Sequence, residues 1–226
     1  MSEPISPAVG RGVIHLFCKP TPLVDGEAIV AAVKSAQGAG VQVVAVSVLG
    51  HKCDVAFMAM HEDWRELRAL QTALQRAGLD VVDSYVSLTD VSEYAAGMPQ
   101  EMLDARLYPT IPPTAHHMPA WCFYPMSKRR ATDANWFTLP FEERKELMHE
   151  HGVSGRKFAG RIVQYITSST GLDDYEWGVT LFGANPDDLK DCVYTMRFDQ
   201  ASAVYAEFGP FYAGLVVSLD ELAALF

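Results

Sequence analysis

The chain has 226 residues, of which 49% are hydrophobic, and its formal net charge is −10 at pH 7. This composition can fill one large core or two cores of about 100 residues each, which excludes a disordered chain. The acidic excess argues against broad nucleic-acid binding, because a phosphate backbone needs a basic face. Every apolar run falls short of the ~20 residues that a membrane-spanning helix needs.

The N-terminus and the cysteines indicate the cellular compartment. Residues Met1 to Pro4 lack the basic start and apolar block of a signal peptide. The four cysteines are widely scattered without a Cys-x-x-Cys pair, which excludes a zinc knuckle and a covalent haem attachment motif. We therefore expect reduced, mostly buried thiols in a cytoplasmic protein.

The first half of the chain predicts the element order β-α-β-β-α-β. Apolar residues recur at helical spacing in two segments and alternate or cluster in four others. The predicted elements are a strand at 12–19, a helix at 26–36, strands at 41–49 and 54–60, a helix at 64–77 and a strand at 80–87.

The same order recurs after a loop rich in Pro and Met. Its elements are a strand at 120–124, a helix at about 140–151, strands at 161–168 and 175–182, a helix at 186–197 and a strand at 208–217. Asn185 and Pro186 mark the start of the last helix. We predict an α+β fold of two ferredoxin-like (βαββαβ) domains, residues 1–112 and 113–226, forming a dimeric α+β barrel-like subunit.

A histidine on the fourth predicted helix is a candidate iron ligand. The helix is expected to end at Gly152, and His151 lies three and four residues beyond Met148 and Leu147, on the same apolar face. His149 falls on the opposite, acidic side. An inward histidine on a helix is a suitable axial ligand for a porphyrin iron.

Two other interpretations of this histidine stay open. A histidine near a helix C-terminus can simply complement the helix dipole. A zinc site that adds His116 and His117 is also conceivable, although residues two apart on a helix, such as His149 and His151, point away from each other.

An apolar strand that ends on Tyr124 runs into Lys128-Arg129-Arg130, an unusual positive cluster in an acidic protein. Such a cluster suits an anionic partner, for example the carboxylate arms of a porphyrin. Taken alone, Tyr124 is also typical of a buried ring with a wet hydroxyl, and the cluster of a solvated loop.

Several segments together resemble the coproheme decarboxylases, bacterial members of the chlorite dismutase-like superfamily. The resemblance is dense over residues 105–217 and loose in the N-terminal half. The segments that carry it are Tyr124 to Arg130, Asn135-Trp136, Leu139-Pro140, His151-Gly152, Gly160-Arg161, Gln164, Asp174 to Phe182 and Met196 to Asp199.

The resemblance implies a homopentamer with the porphyrin in the C-terminal domain of each subunit. The substrate and redox centre is then iron coproporphyrin III (coproheme). Two of its propionates lose carbon dioxide and become vinyls at the expense of hydrogen peroxide, which gives haem b in bacterial haem biosynthesis. Implied partners are coproheme, hydrogen peroxide and, transiently, the ferrochelatase that supplies coproheme; neither nucleic acid nor a membrane span is expected.

The resemblance also implies catalytic roles for four residues. His151 is the proximal iron ligand and Tyr124 is the tyrosine that carries a radical. Lys128 lies near a reactive propionate, and Gln164 occupies the distal side. A role for His116 or His117 as a distal base for peroxide is left open.

Other matching positions are expected to bind propionates. These are Arg197 and Ser202 in the last quarter of the chain, and Tyr85, Ser87 and Arg106 nearer its middle. Ser87 stands where the family pattern often has Asn.

Three alternative functions stay open. A chlorite dismutase shares the fold and the proximal histidine but uses a distal arginine, whereas Gln164 offers no cation. A haem-binding or haem-transfer protein has use for the ligand and the basic cluster but not for a redox-active phenol. A ferredoxin-like oligomer without a cofactor is the third.

Overall fold

The computed structural model describes residues 3–113 and 117–226 and builds them around one antiparallel sheet. The strands are β1 Gly12–Pro20, β2 Gln42–Val48, β3 Val55–His61, β4 Leu79–Thr89, β5 Ala120–Lys128, β6 Arg130–Ala131, β7 Ala134–Asn135, β8 Ile162–Ser168, β9 Trp177–Gly183, β10 Ala206–Phe208 and β11 Tyr212–Val217. The helices are α1 Gly26–Gly38, α2 Trp64–Arg76, α3 Gln100–Leu107, α4 Phe141–Arg156, α5 Pro186–Met196, α6 Gln200–Ala203 and α7 Leu219–Ala223.

The two halves have the same strand order, and pairing between the halves closes the sheet. The first half runs β2-β3-β1-β4 and the second runs β8-β9-β5-β11, which is the ferredoxin-like order in each. Pairing of β11 with β2 and of β4 with β8 joins the halves into a barrel. The predicted fold class is confirmed, while the division at residues 112 and 113 stays a prediction.

Most of the barrel sheet is covered on both faces, which explains why its strands are so apolar. Inside the barrel, Phe17, Trp121 and Phe123 belong to one buried cluster. Outside the first half, α1 and α2 pack on the sheet, and each begins at an aspartate whose side chain accepts a backbone N–H: Asp25 from Ala28 and Asp63 from Arg65.

A separate buried cluster covers the outer face of the second half. It contains residues of β5 and β9, among them Tyr124 and Val179, together with Leu189 of α5. Helix α4 does not cover this face completely, and the gap becomes the cavity described below. All four cysteines are buried free thiols, as expected. Within the described ranges, no helix is long and apolar enough to span a bilayer.

Three predicted boundaries were wrong. The strand expected at 120–124 continues to Lys128. The helix expected to end at Gly152 continues to Arg156, because the backbone turns to a positive φ (80°) only at Gly160. The strand expected at 208–217 is broken at Gly209-Pro210: Pro210 has no N–H to donate, and a side chain on Gly209 would meet Tyr175 at 2.6 Å.

Candidate cofactor and active site

A cavity of about 760 Å³ lies between the outer face of the second half of the sheet and helix α4. Cofactor-sized ligands typically occupy clefts of roughly 300–1,000 Å³. Strands β5, β8 and β9 form its floor, α4, α5 and α6 contribute one side, and the segment after β4 together with residues of α3 forms the rim.

Strand β5 presents three of its side chains to the cavity. Tyr124, Met126 and Lys128 alternate along the strand and therefore share a face, which the continuation of β5 to Lys128 makes possible. The ring of Tyr124 is buried and stacks on Phe211, with 4.5 Å between centroids. Burial raises the pKa of Tyr124 far above its ordinary value, so the phenol keeps its proton at neutral pH.

Lys128 is a buried cation in the cavity wall. Its Nζ donates to the carbonyl oxygen of Ala201 at 2.7 Å and lies 4.2 Å from the ring centroid of Trp136. Burial lowers the pKa of Lys128 to about 8. The rest of the predicted basic cluster lies elsewhere, since Arg129 pairs with Asp133 at 3.1 Å and Arg130 is exposed.

Helix α4 brings His151 and Met148 to the opposite wall. The Nδ1 atom of His151 is 3.1 Å from Oδ2 of Asp199, a carboxylate that can only accept a hydrogen bond while ionised. That bond places the proton on Nδ1 and leaves the lone pair on Nε2 for a metal. Burial lowers the pKa of His151, which favours the neutral imidazole that ligation requires. His149 is exposed, as the helix phase predicted.

Asp199 is a functional residue that the sequence analysis missed, although it quoted the motif that contains it. Only 2% of Asp199 is exposed, and its second oxygen accepts the backbone N–H of Ser202 at 2.9 Å as the N-cap of α6. The single turn of α6 therefore orients His151 through Asp199 and holds Lys128 through the Ala201 carbonyl. The available signal of this cap was the aspartate itself, two residues beyond the predicted helix 186–197, because aspartate is a favoured N-cap residue.

Three more predicted residues line the cavity. Gln164 lies on β8, on the same strand face as Ile166, and Arg106 lies on α3 at the rim. Ser202 lies beside the histidine, with its Oγ 3.3 Å from Nδ1 of His151. The structure thus brings together His151, Tyr124, Lys128, Gln164, Arg106 and Ser202.

The remaining predicted residues do not line this cavity. Tyr85 is buried inside the barrel, where its hydroxyl hydrogen-bonds to Ser169. Ser87 is one step behind the wall, since its Oγ donates at 2.8 Å to Thr167, which does line the cavity. Arg197 is exposed at the end of α5, with its guanidinium 3.8 Å from the ring centroid of Phe208, another wall residue.

His116 and His117 were candidates for a zinc site and for a distal base for peroxide. His117 is exposed and away from the cavity wall, and His116 lies outside the described residues. In residues 3–113 and 117–226, no group of three or more His, Cys, Asp or Glu side chains is arranged to hold a metal ion.

The residues present fit an iron porphyrin with carboxylate arms. The site offers one histidine whose Nδ1 is tied to a buried carboxylate, which matches an axial ligand with a defined tautomer. Lys128 and Arg106 supply cations for carboxylates, while Met148, Ile166 and other apolar side chains match a flat apolar ring.

Comparison with known proteins agrees with this geometry. The family model described as chlorite dismutase matches residues 24–217. A coproheme decarboxylase from Staphylococcus carnosus is 42% identical over 192 residues, which cover 80% of this chain and 75% of that protein. A Natronomonas pharaonis relative, named as a heme-binding protein, is 44% identical over 200 residues, but the match spans only 32% of its length.

A solved structure extends the likeness to nearly the whole chain. It is that of a heme-binding protein from Thermus thermophilus, with a TM-score of 0.84 and 33% sequence identity, and the match covers 99% of this chain and 98% of that one. With a family match over most of the chain and relatives above 40% identity, the conclusion is plain: the protein belongs to the chlorite dismutase family.

Proposed function

We propose that the protein catalyses the hydrogen-peroxide-dependent oxidative decarboxylation of two propionates of iron coproporphyrin III to vinyls, giving haem b. The observation that carries this proposal is the placement of Tyr124 and Lys128 on one strand face, in a cavity whose opposite wall holds His151. The name of the 42% identical relative, coproheme decarboxylase, supports it.

The proposed binding roles follow from the contacts. When bound, the iron porphyrin supplies the metal that reacts with peroxide and the propionates that react. His151 ligates through Nε2 while Asp199 fixes its tautomer and ring orientation. Lys128 binds the carboxylate of the reacting propionate through a charge-assisted hydrogen bond, a task that suits an ammonium on a flexible stem.

Tyr124 serves as a relay for a hydrogen atom and not as an acid. Its phenol keeps its hydrogen at neutral pH because burial raises its pKa. After oxidation it takes a hydrogen atom from the propionate carbon presented to it, provided that the geometry is fixed. Each propionate then loses one carbon dioxide and, in all, two hydrogen atoms, and one peroxide is reduced to two waters.

Gln164 favours this proposal over the nearest rival, a chlorite dismutase. As a neutral amide it can orient peroxide, but it cannot supply the positive charge that a chlorite dismutase uses on the distal side. Simple haem binding is the other rival, and it gives no role to a buried phenol beside the cavity lysine.

We also propose the setting in which this reaction takes place. The active protein is a cytoplasmic homopentamer that receives coproheme in a transient contact with the ferrochelatase. Residues 113–226 form the haem-binding domain. Ser87 supports the propionates from behind the wall, Arg197 from the end of α5 and Tyr85 from inside the barrel. Light scattering after size-exclusion chromatography measures the assembly directly.

Product analysis tests the proposed reaction. Purified protein is titrated with iron coproporphyrin III, followed by absorbance, and is then treated with peroxide in small steps. Mass spectrometry of the porphyrin should show successive losses of one and two carbon dioxide molecules with the accompanying hydrogens. Bound porphyrin that bleaches or stays unchanged would favour the haem-binding rival.

A further inference from the structure

We infer that Trp136 is a positioning residue for Lys128: its ring face and the Ala201 carbonyl together hold the ammonium so that one N–H remains for a carboxylate in the cavity. The inference rests on the proposed function for the identity of that carboxylate. It assigns Trp136 a role of its own, apart from packing.

The contacts of the ammonium define this cradle. An ammonium has three N–H donors, and at Lys128 one of them goes to the Ala201 carbonyl oxygen at 2.7 Å. The Trp136 ring, whose centroid lies 4.2 Å away, receives the cation on its face. Because both side chains line the cavity, the third N–H donor of Lys128 is available to a ligand in it.

No carboxylate competes for this third donor in the part of the chain that the structure describes. Glu176 and Asp199 influence Lys128 through their charge, but neither forms an ion pair with its Nζ within 4 Å. Glu176 instead accepts the backbone N–H of Lys128 at 2.8 Å, and Asp199 is bonded to His151 and Ser202. An incoming carboxylate therefore meets a cation that has no partner of opposite charge to give up.

Trp136 is itself held rigidly, as a positioning residue must be. Its backbone N–H donates to the Arg129 carbonyl at 3.0 Å, and its ring meets the ring of Tyr205 edge-on at 5.4 Å. Asn135 caps the short turn that carries it by accepting the N–H of Phe137. Only 3% of Trp136 is exposed, so its ring face has little freedom to follow a moving lysine.

A double-mutant cycle separates positioning from packing. The affinity for iron coproporphyrin III is measured for wild type, Trp136→Leu, Trp136→Phe, Lys128→Met and Lys128→Met combined with Trp136→Leu. Loss of the ring should weaken binding about threefold to tenfold in the presence of Lys128, the size of a partly desolvated cation–π contact. Trp136→Phe should keep most of the wild-type affinity, because it keeps an aromatic ring. In the Lys128→Met background, Trp136→Leu should not weaken binding further. Equal losses in both backgrounds would mean that Trp136 is merely structural.

A second measurement needs no porphyrin and so stands apart from the proposed function. In protein with 13C-labelled lysine, the ε-methylene signal of Lys128, assigned with Lys128→Met, should lie upfield because of the Trp136 ring current. The shift should vanish in Trp136→Leu and persist in part in Trp136→Phe. An unshifted signal in wild type overturns the inference. A shifted signal in a protein that forms no decarboxylated product overturns the proposed function alone.

Discussion

The position of a histidine on helix α4 determines whether it faces the cavity or the solvent. His151 lines the cavity beside Met148 and is bonded to Asp199, whereas His149, two residues away, is exposed. The 3.6-residue period of a helix is enough to predict this difference from the sequence. The bond to Asp199 was not predictable, because it joins residues 48 positions apart that meet only when α6 packs on α4.

Substitution of the two histidines should therefore have unequal effects. His151→Ala removes the only nitrogen ligand that this account assigns to the iron, so the absorption spectrum of bound iron coproporphyrin should shift and its affinity should fall. His149→Ala, the matched control, should leave both unchanged. Absorbance titration measures the two variants side by side, and equal effects would show that the ligand is assigned wrongly.

A third histidine should make stability depend on pH. His15 is buried in the barrel, with its Nε2 2.9 Å from Oγ1 of Thr180, and burial lowers its pKa from 6.5 to about 3. Below pH 6.5, His15 is protonated in the unfolded chain but stays neutral in the folded chain. The stability that neutral His15 contributes is thus complete above this pH and is lost as the pH falls towards 3.

This loss is measurable in denaturant unfolding at pH 7, 6 and 5. The free energy of unfolding of wild type should fall relative to His15→Gln, with a slope that approaches ~1.4 kcal/mol per pH unit below the unfolded pKa. His149→Gln is the control, since that side chain is exposed, and its curve should run parallel to wild type. Parallel curves for wild type and His15→Gln would contradict the account.

At the scale of elements, alternation and turn chemistry explain most of what the sequence predicted. The β5 pattern placed Tyr124 correctly in an apolar strand, but its end was set too early, because Lys128 is a residue that a buried strand rarely carries. Only the tertiary partners Ala201 and Trp136 make a buried lysine there tolerable. The end of α4 was misplaced for a different reason: Gly152 stays helical, and the backbone turns to a positive φ only at Gly160.

The seam between β11 and β2 should be the most sensitive element of the barrel. A side chain on Gly214 would meet the Ser47 carbonyl oxygen at 2.2 Å. We expect Gly214→Ala to lower the free energy of unfolding by about 1–3 kcal/mol, as overpacking does. Gly38→Ala in α1 is the control: no atom lies within 4 Å of its added methyl group, so stability should stay level or rise slightly. Thermal unfolding compares the two, and equal Tm values would contradict this interpretation of the seam.

At the scale of the whole molecule, the fold creates the site where the sheet of the second half is not fully covered. Sequence order predicted two ferredoxin-like halves in a barrel-like subunit, but not which strands pair to close it, namely β11 with β2 and β4 with β8. These pairings join residues far apart in sequence, which local patterns do not encode. The resemblance implied that Tyr85 and Ser87 bind propionates. In the barrel Tyr85 faces inwards and Thr167 lies between Ser87 and the cavity, and a propionate role for either residue stays a proposal.

The central claim is that the phenol of Tyr124 acts on propionates held in this cavity. Its direct test is the mass of the porphyrin recovered after peroxide is added to the complexes of wild type, Tyr124→Phe and Tyr165→Phe. Tyr165 is a matched control, because it also lines the cavity but donates its hydroxyl to the Thr110 carbonyl at 2.7 Å.

We predict that wild type and Tyr165→Phe yield the divinyl product. Tyr124→Phe keeps its ring contacts and should still bind the porphyrin, but the mass of the recovered macrocycle should show no loss of carbon dioxide. Formation of haem b by Tyr124→Phe at the wild-type rate would contradict the account.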